Sequence, residues 1–227
     1  MIILIGASGG IGSFLMNKYL YNGIDVVGTF NSSTPEEKLN KYMYQVDITS
    51  HYQVESFKNL IIGKLQNIVL INCAGINYNS FAHKADPIIW ESVIKTNLIG
   101  TFNLINCFLP YMRKQKWGRI INFSSIVPQI GVPGTSAYAA SKAALWGLAK
   151  AITAENNQFN ITINTLNLGY FNVGMINEIP PKMQEEIRLS IPSGKFGEPE
   201  EIYNLIDLLI KNSYIRGTAI DINGGLH

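Results

Sequence analysis

Short apolar runs alternate with longer amphipathic segments along almost the whole chain. Strands are expected at Ile2–Ile5, 25–29, 43–46, 68–72, 119–124, 162–166 and Ala219–Ile222, several of them apolar at consecutive positions. A strand covered by helices on both faces reads this way, because neither face meets water. Between them, apolar residues at helical spacing predict helices near 10–22, 51–63, 87–112, 136–156 and 198–211. Such alternation implies right-handed βαβ units. The expected fold is therefore α/β: one doubly wound, seven-stranded parallel sheet with helices on both faces, in a single domain over residues 1–227.

Two stretches break the rhythm. Residues 126–135 carry Pro128, Gly131, Pro133 and Gly134 and are expected to form a loop. Residues 170–197, with Pro180, Pro181 and Pro192, form a long insertion after the sixth strand. Loops beyond about 12–15 residues usually have a function. This one follows a strand's carboxyl end, where open α/β sheets bind ligands, so a substrate lid is expected over about 170–197.

Composition narrows the class. Apolar residues make up 47% of the 227 and charged residues 15%, which excludes a disordered or fibrous chain. Eighteen basic and sixteen acidic residues leave a formal charge of +2 without a like-charge block, so neither nucleic acid nor a membrane surface is expected as partner. Cys73 and Cys107 lack metal-ligand spacing and read as buried free thiols in a reducing compartment. The apolar start Met1–Ile5 meets glycine too soon for a signal peptide, and no apolar run nears the ~20 residues of a membrane span. A soluble, cytoplasmic protein without a metal site is expected.

Directly after the first strand stand Gly6, Ser8, Gly9, Gly10, Ile11 and Gly12, with a helix following. Glycines allow a tight turn and let backbone N–H groups approach a pyrophosphate at the positive helix end. A plain tight strand–helix corner is the other use of such a loop. Where an acid would grip the adenosine ribose 2′-hydroxyl, the chain reads 28–33, Gly-Thr-Phe-Asn-Ser-Ser. Asn31 and Ser32 can donate to a 2′-phosphate that a carboxylate would repel, so NADP(H) is favoured over NAD(H), with Lys38 the nearest cation. Asp47 is placed either to accept from the adenine amino group or to cap the next helix.

Tyr138 and Lys142, four apart, share one face at the start of a helix, and Ser125 ends the strand before it. A free tyrosine, with a pKa near ~10, exchanges protons poorly at neutral pH. A neighbouring ammonium lowers that value, so the phenol can donate to a forming alkoxide or accept in reverse. Taken singly, each residue also has a structural use.

As a set, these pieces resemble the short-chain dehydrogenase/reductase family over essentially the whole chain. The matching residues are the Gly6–Gly12 loop, Asp47, the Asn72-Cys-Ala-Gly75 turn, Asn97, Ser125, Tyr138-x-x-x-Lys142 and Gly224-Gly225. The resemblance implies a Rossmann fold and a nicotinamide-dependent oxidoreductase. Tyr138 would be the general acid/base, and Lys142 would bind the nicotinamide ribose and lower the tyrosine pKa. Ser125 would position the carbonyl, and Asn97 would hold a water of a proton relay. Asn72, Ala74 and Gly75 would line the adenosine side. Ile11, Ile48, Gly169, Phe171 and Val173 would lie along the cofactor. One departure stands out: Leu168 and Val173 replace the family's proline and its carboxamide-holding threonine.

Ser125, Val127, Gln129, Tyr170 and Met175 are expected to line a pocket with little charge, suited to an apolar or modestly polar carbonyl compound. The resemblance is closest in character to 3-oxoacyl carrier-protein reductases. The basic group Arg113, Lys114, Lys116 and Arg119 would then meet an acyl carrier protein or, more plainly, suit a helix C-terminus. Leu98–Leu109 is apolar nearly all round, which predicts a covering subunit in a homotetramer or homodimer. Two other functions compete with carbonyl reduction: an NAD-dependent alcohol dehydrogenase working in oxidation, and a non-catalytic dinucleotide-binding regulator.

Overall fold

In a computed structural model, residues 1–226 are described, apart from the side chains of Met175 and Glu178. Seven strands form one sheet: β1 (Ile2–Ile5), β2 (Val26–Phe30), β3 (Met43–Gln45), β4 (Val69–Asn72), β5 (Gly118–Ser125), β6 (Ile161–Leu168) and β7 (Ala219–Ile222). Their spatial order is β3-β2-β1-β4-β5-β6-β7, and every pairing is parallel. The strand order reverses between β1 and β4, which opens a crevice at their carboxyl ends.

Alternate residues of each strand enter different cores, as the two-residue period of a strand requires. Ile3, Ile5 and Ile120 pack with α2 (His51–Ile61), α4 (Thr101–Gln115) and α6 (Ser136–Asn156). Ile2, Leu4 and Ile121 pack with α1 (Gly10–Tyr21) and α8 (Pro199–Lys211) on the other face. Over the central strands both faces are dry, which accounts for their consecutive apolar runs, whereas the edge strand β7 is partly exposed.

The expected helix over 87–112 is instead α3 (Pro87–Ile94), a π turn over Lys95–Gly100 and α4. Periodicity misses this because one extra residue in a turn shifts the apolar stripe by less than a face. The 126–135 loop contains a single short helix, α5 (Val127–Ile130). The 170–197 insertion contains α7 (Pro181–Ser190), and its two ends are tied by a parallel bridge between Phe171 and Gly197. No residue of α7 is buried, so this helix stands off the body. No described helix is long and apolar enough to cross a membrane.

Candidate active site

At the crevice, the loop between β1 and α1 is shaped by what its glycines lack. Gly6 has φ +74°, and a Cβ there would come 2.8 Å from the Ala74 backbone nitrogen. A Cβ on Gly12 would run into the Gly6 carbonyl oxygen. The loop is thus folded tightly on itself and against the Asn72–Gly75 turn. The N-terminus of α1 carries no acidic side chain and no side-chain cap, leaving its N–H groups for an anion. Such a cradle has the backbone donors a pyrophosphate requires, and Ser8, Gly9, Gly10 and Ile11 lie in it.

Next to it, Thr29 is buried while Asn31 and Ser32 are exposed. Lys38 does not face them freely: its ammonium pairs with Glu36 at 2.9 Å, and Glu36 also accepts from the Ser13 hydroxyl. Asp47 does not cap α2; Ser50 does, accepting from the Gln53 N–H. Asp47 instead accepts from the Thr49 N–H and hydroxyl, at 2.9 and 2.8 Å. Ile48 is a core residue against Gly100, and its carbonyl accepts from Asn103, so its backbone and side chain are both engaged.

The proton-transfer candidates converge from three elements. Ser125 ends β5, where its hydroxyl accepts from the Val127 N–H at 3.1 Å. Tyr138 lies in the first turn of α6, and Lys142 Nζ sits 5.6 Å from its ring centroid. The buried Lys142 ammonium donates to the Phe123 carbonyl at 2.7 Å, while Ser124 donates to the Lys142 carbonyl. Burial pushes Lys142 down to about 8, with the nearby Cys73 acting in the opposite direction. Tyr138 is raised above its ordinary value by burial, with Ser125 opposing and Tyr170 adding to the rise.

Asn97 sits in the π turn, and its side chain is fully engaged. Its Oδ1 accepts from the Ile76 N–H at 2.8 Å, and its Nδ2 donates to the Ile76 carbonyl and the Ser141 hydroxyl. Ser141 in turn donates to the Tyr138 carbonyl at 2.8 Å. Asn97 thus splints the β4 loop to the helix that carries Tyr138 and Lys142. A π turn at such a position is a common functional device. A Cβ on Gly75 would lie 3.1 Å from Lys142 Nζ and 3.3 Å from Asn97 Oδ1, so this glycine makes room for both. Asn72 accepts from the Ala74 N–H and donates to Thr101.

Beyond β6, Gly169 packs on Asn223, Phe171 is buried, and Val173 lies against Gly10 of the phosphate loop. Leu168 completes β6 and its carbonyl accepts from the Ile126 N–H. Among the substrate candidates, Val127 and Tyr170 are half-buried, whereas Gln129 is exposed and donates to Asp221. The Met175 side chain lies outside the described residues. The basic group does not form a surface patch. Arg119 is buried and donates to backbone carbonyls of Ile210, Gly118 and Asn160, and Arg113 is held by Asn156, which leaves Lys114 and Lys116 exposed. Cys107 is buried and Cys73 half-buried, both as free thiols.

Sequence reasoning missed Ser141, and read Trp90 only as a helix-packing residue. Ser141 lies three residues after Tyr138, a spacing that could have flagged a contact within the turn. Trp90 Nε1 donates to Ser136 and so pins the start of α6, an across-fold contact that leaves no sequence signal.

Residues 1–184 match the family described as short chain dehydrogenase. The chain is 33% identical to the 3-oxoacyl-(acyl-carrier-protein) reductase FabG of Thermotoga maritima, covering 99% of this chain and 96% of the relative. It is 34% identical to the acetoacetyl-CoA reductase of Shinella zoogloeoides, covering 98% and 96% respectively. Sequence match, parallel seven-stranded sheet and glycine cradle agree, and the chain belongs to the short-chain dehydrogenase/reductase family.

Proposed function

We propose that this oxidoreductase works chiefly as a reductase, turning the ketone of a 3-oxoacyl-type substrate into a secondary alcohol, with Tyr138 as general acid. The carrying observation is the convergence of Ser125, Tyr138 and Lys142 at the carboxyl edge of the sheet, beside the glycine cradle. A phenol, with an ordinary pKa near ~10, is protonated at neutral pH, which is the form reduction consumes. A bound nicotinamide dinucleotide supplies the hydride to the carbonyl carbon. Ser125 donates to the carbonyl oxygen and Tyr138 delivers the proton to it. Lys142 holds the ribose side and, titrating near about 8, can return a proton to the phenolate. Asn97 acts through Ser141 and the β4 loop, holding Tyr138 and Lys142 in register.

The glycine cradle would receive the pyrophosphate, with Asp47, Ile48, Asn72, Ala74 and Gly75 on the adenosine side and Gly169, Phe171 and Val173 towards the nicotinamide. NADP(H) is proposed over NAD(H): Asn31 and Ser32 are exposed donors, and the charge of Glu36 is balanced by Lys38. The two relatives named above favour an acyl thioester, presented on an acyl carrier protein or on coenzyme A, with the 170–197 segment closing as a lid. Ile88, Ile89, Ile99 and Phe102 are exposed across α3, the π turn and α4, and a second copy of the chain would cover them in a homotetramer or homodimer. A monomer by light scattering at micromolar concentration refutes that assembly. The function is tested with a panel of ketones, 3-oxo esters and 3-oxoacyl thioesters, read by NADPH and NADH consumption. Reduction of 3-oxo compounds with NADPH ahead of NADH is expected. Dinucleotide binding without turnover on the panel would return the chain to a regulatory role.

A further inference from the structure

Beneath α6 the sheet carries a band of polar side chains among its apolar runs. Asn72, Asn122 and Thr165 are register neighbours across β4, β5 and β6, and Ser124 pairs with Asn167 two residues further on. All five are buried. Three have partners: Asn72 bonds Thr101 and the Ala74 N–H, Ser124 the Lys142 carbonyl, and Asn167 both Trp146 and Asp221. The other two have none. Oδ1 and Nδ2 of Asn122 and Oγ1 of Thr165 lack a hydrogen bond, although both residues are at 0% exposure. Dehydrating an amide and a hydroxyl without a partner is costly, so buried groups of this kind nearly always find one.

The orphaned atoms share one layer. Asn122 follows Ile120, and Thr165 follows Ile163, by two residues, which places both on the face that packs against α6. Neighbouring strands lie about 4.8 Å apart, and two hydrogen bonds of about 2.8 Å span that gap with one oxygen between them. To the cluster of Ile120 and Ile163, α6 contributes Ala149, whose single methyl takes up little of the depth between helix and sheet. We propose that an ordered water molecule occupies this otherwise dry layer and bridges the Asn122 amide to the Thr165 hydroxyl. Accepting from Nδ2–H and donating to Oδ1 and Oγ1, it makes three bonds, the usual number for an internal water, and leaves no atom of the pair orphaned. Ser124, two residues beyond Asn122 on the same face, holds the Lys142 carbonyl. The water thus completes a polar floor under the turn of α6 that carries Lys142, whichever direction the enzyme runs.

Thr165→Val tests this by the sign of its effect on stability. With a bridging water, the variant strands one of its bonds, and the unfolding constant in urea melts should rise about fivefold. A hydroxyl that is simply unpaired is better lost, so an unfolding constant that is unchanged or lower overturns the proposal. A high-resolution crystal structure of the wild type separates the water from a direct bond. An oxygen about 2.7–3.2 Å from both the Asn122 amide and Thr165 Oγ1 is expected. An Asn122 side chain turned to bond Thr165 or Asn72 directly, or a gap without density, overturns the proposal. If Thr165→Val does not fold, the crystal structure decides alone.

Discussion

The glycine cradle and the proton-transfer edge lie side by side on the same crevice but are built by opposite means. The cradle is made of omissions: at Gly6 and Gly12, a single methyl group would strike backbone. The other edge is made of buried polar side chains, Asn97, Ser124, Ser141 and Lys142, whose hydrogen bonds go to backbone groups or to one another. The first is contained in one short loop and its neighbouring turn. The second joins segments around residues 76, 97, 123 and 141, which are distant in sequence. A cradle of backbone is broken by adding atoms, and a network of side chains by removing them.

The largest expected effect separates chemistry from binding. Tyr138→Phe should lower reduction by about 10²–10⁴-fold, the range for a lost general acid, while the dissociation constant for NADPH stays near that of the wild type. Stopped-flow reduction and fluorescence titration check the two halves, and unimpaired turnover would remove Tyr138 as the acid. Gly12→Ala should do the reverse. Its new methyl meets the Gly6 carbonyl, so the loop must open, at a cost of about 1–3 kcal/mol in stability. NADPH affinity should fall at least roughly tenfold, since even 1.4 kcal/mol of lost binding does that. Calorimetry and thermal melts measure it, and undiminished affinity would mean that the loop is not the cradle.

The smallest effect sharpens the comparison through Lys142. Burial lowers its pKa from 10.5 to about 8, so the unfolded chain holds this proton more tightly between those values. Stability of the wild type therefore carries the burial penalty below about 8 and loses it as the pH rises towards 10.5. Against Lys142→Met, which has no such proton, the wild type should gain up to about 3 kcal/mol across that window. Denaturant melts of both proteins at several pH values read the difference. A difference that stays flat with pH would show that Lys142 is not dehydrated as the structure implies.

Much of this was legible in the chain. The strand at Ala219–Ile222 and the helix at 136–156 were predicted at their observed bounds, because a β-branched run and a long small-residue pattern have distinct periods. The glycine loop was also readable, since its function depends on residues next to one another. The π turn at Lys95–Gly100 was not, and neither was the fate of the basic group. Charge in a sequence says nothing of depth: Arg119 looks like its neighbours Lys114 and Lys116 until β5 carries it under α8.

By itself, then, the sequence determined the layered parallel sheet and the position of the crevice, and it singled out the candidate groups there. These follow from local periodicity and from residue types that few other roles require together. Only the tertiary structure decided how those groups are tuned. It made Asn97 a splint, coupled Ser141 to Tyr138 and buried Lys142 on the Phe123 carbonyl. Each of these depends on dehydration and on contacts between segments far apart in the chain, and neither has a local signature.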